Sequence, residues 1–122
     1  MIHIGSVINS ADNCGAKSLK VIGIPGNSKQ KVAKVGDIIT VVVNGASSKG
    51  VVKDHSVVKA IIVRTRKEYR RSDGTYIRFS DNAGVVINKD KNMAGTRVFG
   101  PVAREIRDRG YLKVASLAKE VW

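Results

Sequence analysis

The segment from Arg64 to Phe79 concentrates the side chains best suited to binding a polyanion. Between Arg64 and Arg78 it holds two acids, Glu68 and Asp73, against six cations, which gives a local charge of +4. The six cations are Arg64, Arg66, Lys67, Arg70, Arg71 and Arg78. Guanidinium groups bind phosphate through paired hydrogen bonds, and aromatic rings stack on unpaired bases. Because two tyrosines interleave with these arginines, the pattern predicts RNA binding.

The dipeptide Asp73-Gly74 predicts a β-hairpin in the middle of this segment, because both residues tolerate the positive φ of two-residue hairpin turns. With that turn, Arg71 pairs with Tyr76 and Tyr69 pairs with Arg78. Side chains alternate between the faces of a strand, so the predicted RNA-facing side comprises Tyr69, Arg71, Tyr76 and Arg78. The opposite face would carry Glu68, Arg70, Ile77 and Phe79. A shift of one residue in the register would exchange the faces.

The charge of the whole chain favours RNA contact over the simpler interpretation, a solvated hairpin whose Arg–Tyr pairs only stabilise its own sheet. The 122 residues include 22 Lys and Arg against 10 Asp and Glu, for a net charge of +12. Such an excess repels itself, and a polyanion compensates it when protein cations displace condensed counterions. We expect further RNA contacts at Lys17, Lys20, Lys49, Lys53, Arg97, Arg104 and Arg107.

Other kinds of chemistry find little support in the sequence. The single cysteine, Cys14, allows no internal disulfide and no zinc site of several cysteines, and His3 and His55 lie far apart. The loop predicted at residues 44–50 lacks the Gly-Lys-Ser/Thr of a nucleotide phosphate loop. No stretch approaches the roughly 20 apolar residues of a membrane span, and no signal peptide is recognisable. We therefore expect no enzyme activity, cofactor, metal, membrane or small-molecule substrate.

The pattern of apolar residues predicts how the hairpin is supported. Short apolar stretches separated by turn residues occur at 7–9, 19–24, 38–43, 57–63, 76–79 and 85–87. Many β-branched residues and 12 glycines fit short strands joined by tight turns, so a small closed β-barrel is expected. We expect a single domain, with the barrel over about residues 1–100 and a helical segment over about 101–122.

The helical segment is predicted to start at Gly100-Pro101, because proline suits the first position of a helix. Helical spacing turns Val102, Ala103 and Ile106 inward and Arg104, Arg107 and Asp108 outward. Gly110 predicts the end of this helix, and a second short helix is expected within residues 111–122. Trp122 suits either an apolar cap or a contact with a partner.

Several blocks of the sequence form a specific pattern when they are taken together, in this order and at this chain length. One block runs from Ala60-Ile61-Ile62-Val63 through Asp73-Gly74, Phe79 and Asn82 to Val85-Val86. The others are Asp12-Asn13-Cys14-Gly15-Ala16, Gly36-Asp37-Ile38-Ile39, the stretch 95–105, and Ser116-Leu117-Ala118. Together these blocks resemble the universal large-subunit ribosomal protein fourteen family in its bacterial type. The resemblance implies a mainly β fold: a small five-stranded barrel with a projecting basic hairpin and short C-terminal helices.

The resemblance also implies a structural role in the ribosome. It implies binding to large-subunit ribosomal RNA at the subunit interface, bridges to small-subunit RNA, and contact with the neighbouring ribosomal protein nineteen. A ribosome silencing factor would dock at Thr96, Arg97 and Lys113. The ribosome would lie in a bacterial cytoplasm or in an organelle matrix, mitochondrial or plastid.

The sequence departs from the family pattern at a few positions. Cys14 replaces a serine, Asp54-His55-Ser56 replaces Lys-Gly-Asp, and prolines are replaced by Ser72 and Lys119. Loss of the two prolines is expected to loosen the hairpin tip and the C-terminal turn slightly. Two alternatives stay open: a free-standing small-barrel RNA chaperone or regulatory factor, and a nuclease depending on Asp12 or Asp37.

Overall fold

The computed structural model describes residues 2–13, 15–25, 32–46, 52–87, 93, 95 and 97–122. The strands in these ranges are β1 (Ile2–His3), β2 (Val7–Ser10), β3 (Ala16–Gly23), β4 (Val32–Ala33), β5 (Ile38–Ala46), β6 (Val57–Arg64), β7 (Tyr69–Arg70), β8 (Tyr76–Ile77) and β9 (Ala83–Ile87). Two short helices follow, α1 (Glu105–Asp108) and α2 (Leu112–Leu117). The fold is mainly β, as expected.

Five strands close into a barrel in the order β2-β3-β5-β6-β9, which confirms the predicted five-stranded barrel. Four of the five strand pairs are antiparallel, and the parallel pair β2–β9 closes the ring by placing Asn9 opposite Ala83 and Ser10 opposite Gly84. Next to this seam the Ala11 N–H donates to the Gly84 carbonyl at 2.9 Å. Closure matters because valine-rich strands with open edges would pair with other chains.

Alternating side chains fill the barrel interior. In β3, Leu19 and Val21 are fully buried between half-buried or exposed neighbours, and β5 alternates between buried and half-buried residues. The second half of β6, residues 60–63, and all of β9 are buried on both sides. The C-terminal segment, residues 101–122, lies against this part of the barrel, where the Ala103 N–H donates to the Val63 carbonyl at 3.0 Å. The longest apolar run of the sequence, residues 60–63, is therefore the part of β6 that has no solvent-facing side.

The predicted helix start was wrong by several residues, since α1 begins at Glu105 and not at Pro101. Val102 instead forms a parallel bridge with Val121: its N–H donates to the Glu120 carbonyl at 3.0 Å, and its carbonyl accepts from the Trp122 N–H at 2.9 Å. These long-range bonds hold the backbone at Val102 in an extended conformation. The predicted faces are confirmed, because Val102, Ala103 and Ile106 are buried while Arg104, Arg107 and Asp108 are exposed.

Two other boundaries differ from the prediction. Strand β5 continues to Ala46, so the first residues of the predicted loop 44–50 pair with β3, where Asn44 lies opposite Ser18. Strand β8 ends at Ile77, short of the predicted end at Phe79. The second short helix is present as α2. No helix in the described part of the chain is long and apolar enough to cross a membrane.

Gly84 allows the barrel to close, and this can be tested by substitution. A Cβ atom on Gly84 would lie 2.9 Å from Cδ1 of the buried Ile8 and 3.3 Å from the Ile61 carbonyl oxygen. We expect Gly84→Ala to lower the free energy of unfolding by about 1–3 kcal/mol, the usual cost of overpacking a core. Urea unfolding followed by circular dichroism measures this.

Gly23→Ala is the matched control, because it adds the same methyl group to a barrel strand. Its nearest neighbour would be Thr40 Cβ at 3.7 Å, an ordinary van der Waals distance. We expect the control to change stability by less than about 0.5 kcal/mol. Equal effects of the two substitutions would refute the steric role of Gly84.

Candidate nucleic-acid interface

The basic hairpin is present, but its register differs from the predicted one. Strand β7 pairs with β8 so that Tyr69 lies opposite Ile77 and Arg70 opposite Tyr76. The Arg71 N–H donates to the Thr75 carbonyl at 2.7 Å, and the Gly74 N–H donates to the Arg71 carbonyl at 3.0 Å. The predicted pairs, Arg71 with Tyr76 and Tyr69 with Arg78, were therefore wrong by one residue.

The turn explains this shift of one residue. It contains three residues, Ser72, Asp73 and Gly74, with Gly74 at φ +90°, the pattern of a type I turn followed by a left-handed glycine. The Asp73 carboxylate accepts from the N–H of Thr75 at 3.0 Å and from its hydroxyl at 2.7 Å. These bonds lower the pKa of Asp73 and fix the turn in its three-residue form.

The shift redistributes the predicted RNA-facing residues between the two sides of the hairpin. Tyr69 and Arg71 share the side that packs against the protein, whereas Tyr76 shares the outer side with Arg70. Tyr76 is 66% exposed, and Arg70 and Arg78 are exposed as well. The predicted face of four residues therefore does not exist as one surface.

Glu105 binds the inner side of the hairpin. The Tyr69 hydroxyl donates to Glu105 Oε2 at 2.6 Å, and Arg71 Nε lies 2.8 Å from Glu105 Oε1. The Arg71 side chain is only 11% exposed. Burial, together with the hydrogen bond and the charge of Glu105, raises the pKa of Tyr69, so the phenol keeps its proton. The polar groups of Tyr69 and Arg71 thus position the hairpin against α1.

Arg64 forms a second anchor at the base of the hairpin. Its Nε and Nη2 donate to the Asp81 carboxylate at 2.7 and 3.2 Å, and its Nη1 donates to the carbonyls of Phe99 at 2.8 Å and Pro101 at 3.1 Å. The guanidinium of Arg64, and secondly the amide of Asn9, lower the pKa of Asp81. Arg64 therefore joins the barrel to the C-terminal segment.

Gly100 gives Arg64 the space that this arrangement needs. Its φ is +79°, and a Cβ atom at this position would lie 2.7 Å from Arg64 Nη1. The sequence pattern places Arg64 among the RNA-binding cations. The structure instead gives its guanidinium four hydrogen bonds to three residues of the protein, with 11% of the side chain exposed.

The remaining cations of the segment are exposed. Arg66, Lys67, Arg70 and Arg78 all present their side chains to solvent. The Arg66 N–H donates to Asn82 Oδ1 at 2.8 Å, which fixes the backbone where the chain leaves the barrel. Lys67 pairs with Glu68 at 2.8 Å, and this hydrogen bond lowers the pKa of Glu68. An exposed pair of this kind is weak enough for a phosphate to compete for the lysine.

The other predicted contacts are distributed over the surface. The exposed ones are Lys17, Lys20, Lys53, Arg97, Arg104, Arg107 and Lys113. Arg104 directly precedes Glu105, which binds Tyr69 of the hairpin, and its charge helps to lower the pKa of Asp73 at the hairpin tip. Lys49 and Thr96, two further predicted contacts, and Cys14 lie outside the described residues.

The two acids named for the nuclease alternative have structural partners. Asp12 is buried, and its carboxylate accepts from the Val86 N–H at 3.2 Å and the Ser10 hydroxyl at 2.7 Å. Asp37 accepts from the Lys34 N–H at 2.9 Å and pairs with Arg109 at 3.2 Å. Within the described ranges, no three His, Cys, Asp or Glu side chains are grouped so that they could hold a metal ion.

Sequence analysis missed Glu105 and Asp81, the carboxylates that hold the hairpin. Glu105 is 36 positions from Tyr69, and Asp81 is 17 positions from Arg64. No local pattern indicates such contacts. The sequence contained one indication of these contacts, its excess of cations. An arginine that becomes buried on folding requires a carboxylate nearby.

Comparisons with known proteins show similarity over the full length of the chain. A family model described as "Ribosomal protein L14p/L23e" matches residues 1–122. The large ribosomal subunit protein uL14 of Petrotoga mobilis (strain DSM 10674 / SJ95) is 55% identical over 122 residues, which cover 100% of each chain. The similarity therefore includes the barrel, the hairpin and the C-terminal segment.

The anchor at Glu105 predicts the effect of its removal. Glu105→Ala leaves the Arg71 guanidinium and the Tyr69 hydroxyl without their acceptor, and we expect it to lower the free energy of unfolding by about 1–3 kcal/mol. Hydrogen exchange at the Arg71 amide, which bonds to Thr75, should become faster as the hairpin loosens. Glu68→Ala is the control on the exposed side, and faster exchange in both variants would argue against a specific anchor.

The ion pair of Arg64 with Asp81 predicts a dependence of stability on pH. The pKa of Asp81 is lowered in the folded protein, so the pair stabilises the fold above the ordinary value of 3.8 and loses this effect as pH falls through the folded pKa. We expect Asp81→Asn to cost about 1–3 kcal/mol at neutral pH, because Arg64 loses a charged acceptor. Urea unfolding should show that this difference from the parent narrows in acid.

Asp108→Asn is the control for this ion pair, since it removes the same charge from an exposed position of α1. We expect it to leave neutral-pH stability within about 0.5 kcal/mol of the parent. A difference between Asp81→Asn and the parent that stayed constant from neutral pH into acid would contradict the role given to the pair.

Proposed function

The chain belongs to the ribosomal protein L14p/L23e family, and we propose that it binds large-subunit ribosomal RNA through the outer side of its basic hairpin. Membership of this family makes it a structural constituent of the large ribosomal subunit. Its contribution there is to neutralise phosphate charge and to pack against folded RNA.

The observation that supports the proposal best is the division of the hairpin into a bound side and a free side. Tyr69 and Arg71 hold the inner side on Glu105, whereas Arg70 and Tyr76 lie opposite each other on the outer side. Because the protein already fixes the backbone, RNA binding orders few additional degrees of freedom. Arg70 and Arg78 would bind phosphates, and Tyr76 would stack on a base.

Cations next to the hairpin extend this surface. Arg66 and Lys67 are exposed where the chain leaves the barrel, and Arg104 lies near the hairpin tip. A second group would contact RNA elsewhere: Lys17, Lys20, Lys53, Arg97 and Arg107, all exposed, together with Lys49. Arg64, Tyr69 and Arg71 would act by positioning the hairpin rather than by touching RNA.

We further propose that the bound RNA lies at the subunit interface and that the protein contributes to bridges with small-subunit RNA. The resemblance to the family supports this placement, as it does contact with the neighbouring ribosomal protein nineteen. Docking of a ribosome silencing factor would involve Arg97 and Lys113, which are exposed, and Thr96. The ribosome would be that of a bacterial cytoplasm or of an organelle matrix.

Arg70→Ala with Arg78→Ala tests the proposed RNA surface. Removing one cation that neutralises a phosphate should reduce the slope of log K against log salt by about 0.7–0.9. We therefore expect weaker binding to large-subunit RNA with a reduced salt slope, and lower occupancy in purified large subunits. Filter binding over a salt series and quantitative mass spectrometry of high-salt-washed subunits measure these effects.

Lys34→Ala with Lys59→Ala is the matched control, because it removes the same charge from exposed positions outside the proposed surface. We expect the control to bind more tightly than the hairpin variant at every salt concentration. Equal losses in the two double variants would mean that net charge alone determines binding, and the assignment to the hairpin would fail. A parent chain absent from salt-washed large subunits would instead indicate a free-standing RNA-binding factor.

A further inference from the structure

Three adjoining grooves meet at Arg78, along strand β8 and the residues that follow it. One is lined by Glu68, Tyr76, Ile77 and Arg78, and a second by Arg66, Arg78, Phe79 and Ser80. The third, of about 210 Å³, is lined by Ile77, Arg78, Phe79 and Trp122. Arg78 thus shares a groove with each of two exposed aromatic residues, Tyr76 and Trp122.

Trp122 is fixed in position although its side chain is exposed. Its N–H donates to the Val102 carbonyl at 2.9 Å, and its indole Nε1 donates to Glu120 Oε2 at 3.1 Å. The residue is nevertheless 59% exposed. A large aromatic ring that the backbone holds at the surface, beside a groove, is poorly explained as an apolar cap because more than half of it stays in water.

We propose that the groove between Trp122 and Arg78 binds an unpaired nucleobase of ribosomal RNA. An indole and a guanidinium both offer flat faces to a base, and Arg66 in the adjoining groove is placed to bind a neighbouring phosphate. The proposal rests on the RNA-binding function proposed above and names the chemical group that this part of the surface recognises.

Size and charge favour a base over other occupants. At about 210 Å³ the groove beside Trp122 is smaller than the roughly 300–1,000 Å³ of sites that enclose cofactors or drug-sized ligands, and the two grooves that adjoin it, of about 470 and 450 Å³, are open to solvent and do not enclose a ligand. A protein partner would need on the order of 1,000 Å² of total contact area, far more than this groove alone provides. Arg66 and Arg78 also give the site positive charge for the phosphates that accompany each base.

Fluorescence tests the proposal directly, because Trp122 is the single tryptophan of the chain. The full-length protein is titrated with single-stranded oligoadenylate, with an abasic oligonucleotide of the same length and charge, and with duplex RNA. Stacking on the indole should quench Trp122 emission with oligoadenylate and leave it nearly unchanged with the abasic strand. The duplex should bind without quenching, since its bases are paired.

Variants measured with fluorescently labelled RNA separate stacking from charge. Trp122→Leu keeps an apolar side chain and should weaken binding to oligoadenylate about fivefold or more, with binding to duplex RNA unchanged. Trp122→Phe should recover part of the loss, and Arg78→Lys should reduce the preference for bases while keeping the charge. Leu112→Ala, which shortens an apolar side chain that is 63% exposed on α2, is the control and should have no effect.

The possible results separate this inference from the function on which it rests. Equal affinity for oligoadenylate and the abasic strand, with Trp122→Leu unchanged, would overturn the nucleobase site and leave salt-dependent RNA binding intact. Failure to bind any of the three nucleic acids would overturn the RNA-binding function and this inference together. If Trp122 emission did not change with RNA but shifted on addition of another ribosomal protein, the groove would be a protein contact and the inference would be wrong.

Discussion

The Glu105 carboxylate is the interaction on which the arrangement of the hairpin depends. A short two-stranded hairpin is at best marginally stable in water, and here only two residue pairs connect β7 to β8. Hydrogen bonding of Glu105 to Tyr69 and its ion pair with Arg71 add a tertiary contact that fixes one side of the hairpin. Because that side is occupied, the opposite side is the one left for a ligand.

Other ion pairs within the protein also fix arginine side chains in position. Asp81 binds Arg64, Asp37 binds Arg109 and Glu105 binds Arg71, so part of the small supply of acids neutralises arginines that position the backbone. The remaining cations of the hairpin are exposed, and the surface of the folded protein is correspondingly positive. With a net charge of +12, the exposed cations repel one another, and a bound polyanion reduces this repulsion.

The sequence was sufficient to predict the barrel and the place of the hairpin, because both depend on local patterns. Alternating apolar residues define strands such as β3, and the Asp73-Gly74 pair marks the turn. The register of the hairpin could not be predicted in this way, because Asp-Gly occurs both in two-residue turns and in three-residue turns that end in a left-handed glycine. The contact of Tyr69 with Glu105 joins residues 36 positions apart, so only the folded chain reveals which tyrosine is free.

The hairpin tip shows how side-chain hydrogen bonds hold a turn that has no proline at its second position. Ser72 stands at the second position of the turn, a position that the fixed φ of a proline would suit. Serine lacks this restriction, so the unfolded chain gains conformational freedom. In the folded chain the Asp73 carboxylate stabilises the turn through its two hydrogen bonds with Thr75, the residue that directly follows the turn. The tip therefore keeps one defined register, and with it Arg70 and Tyr76 stay on the outer side.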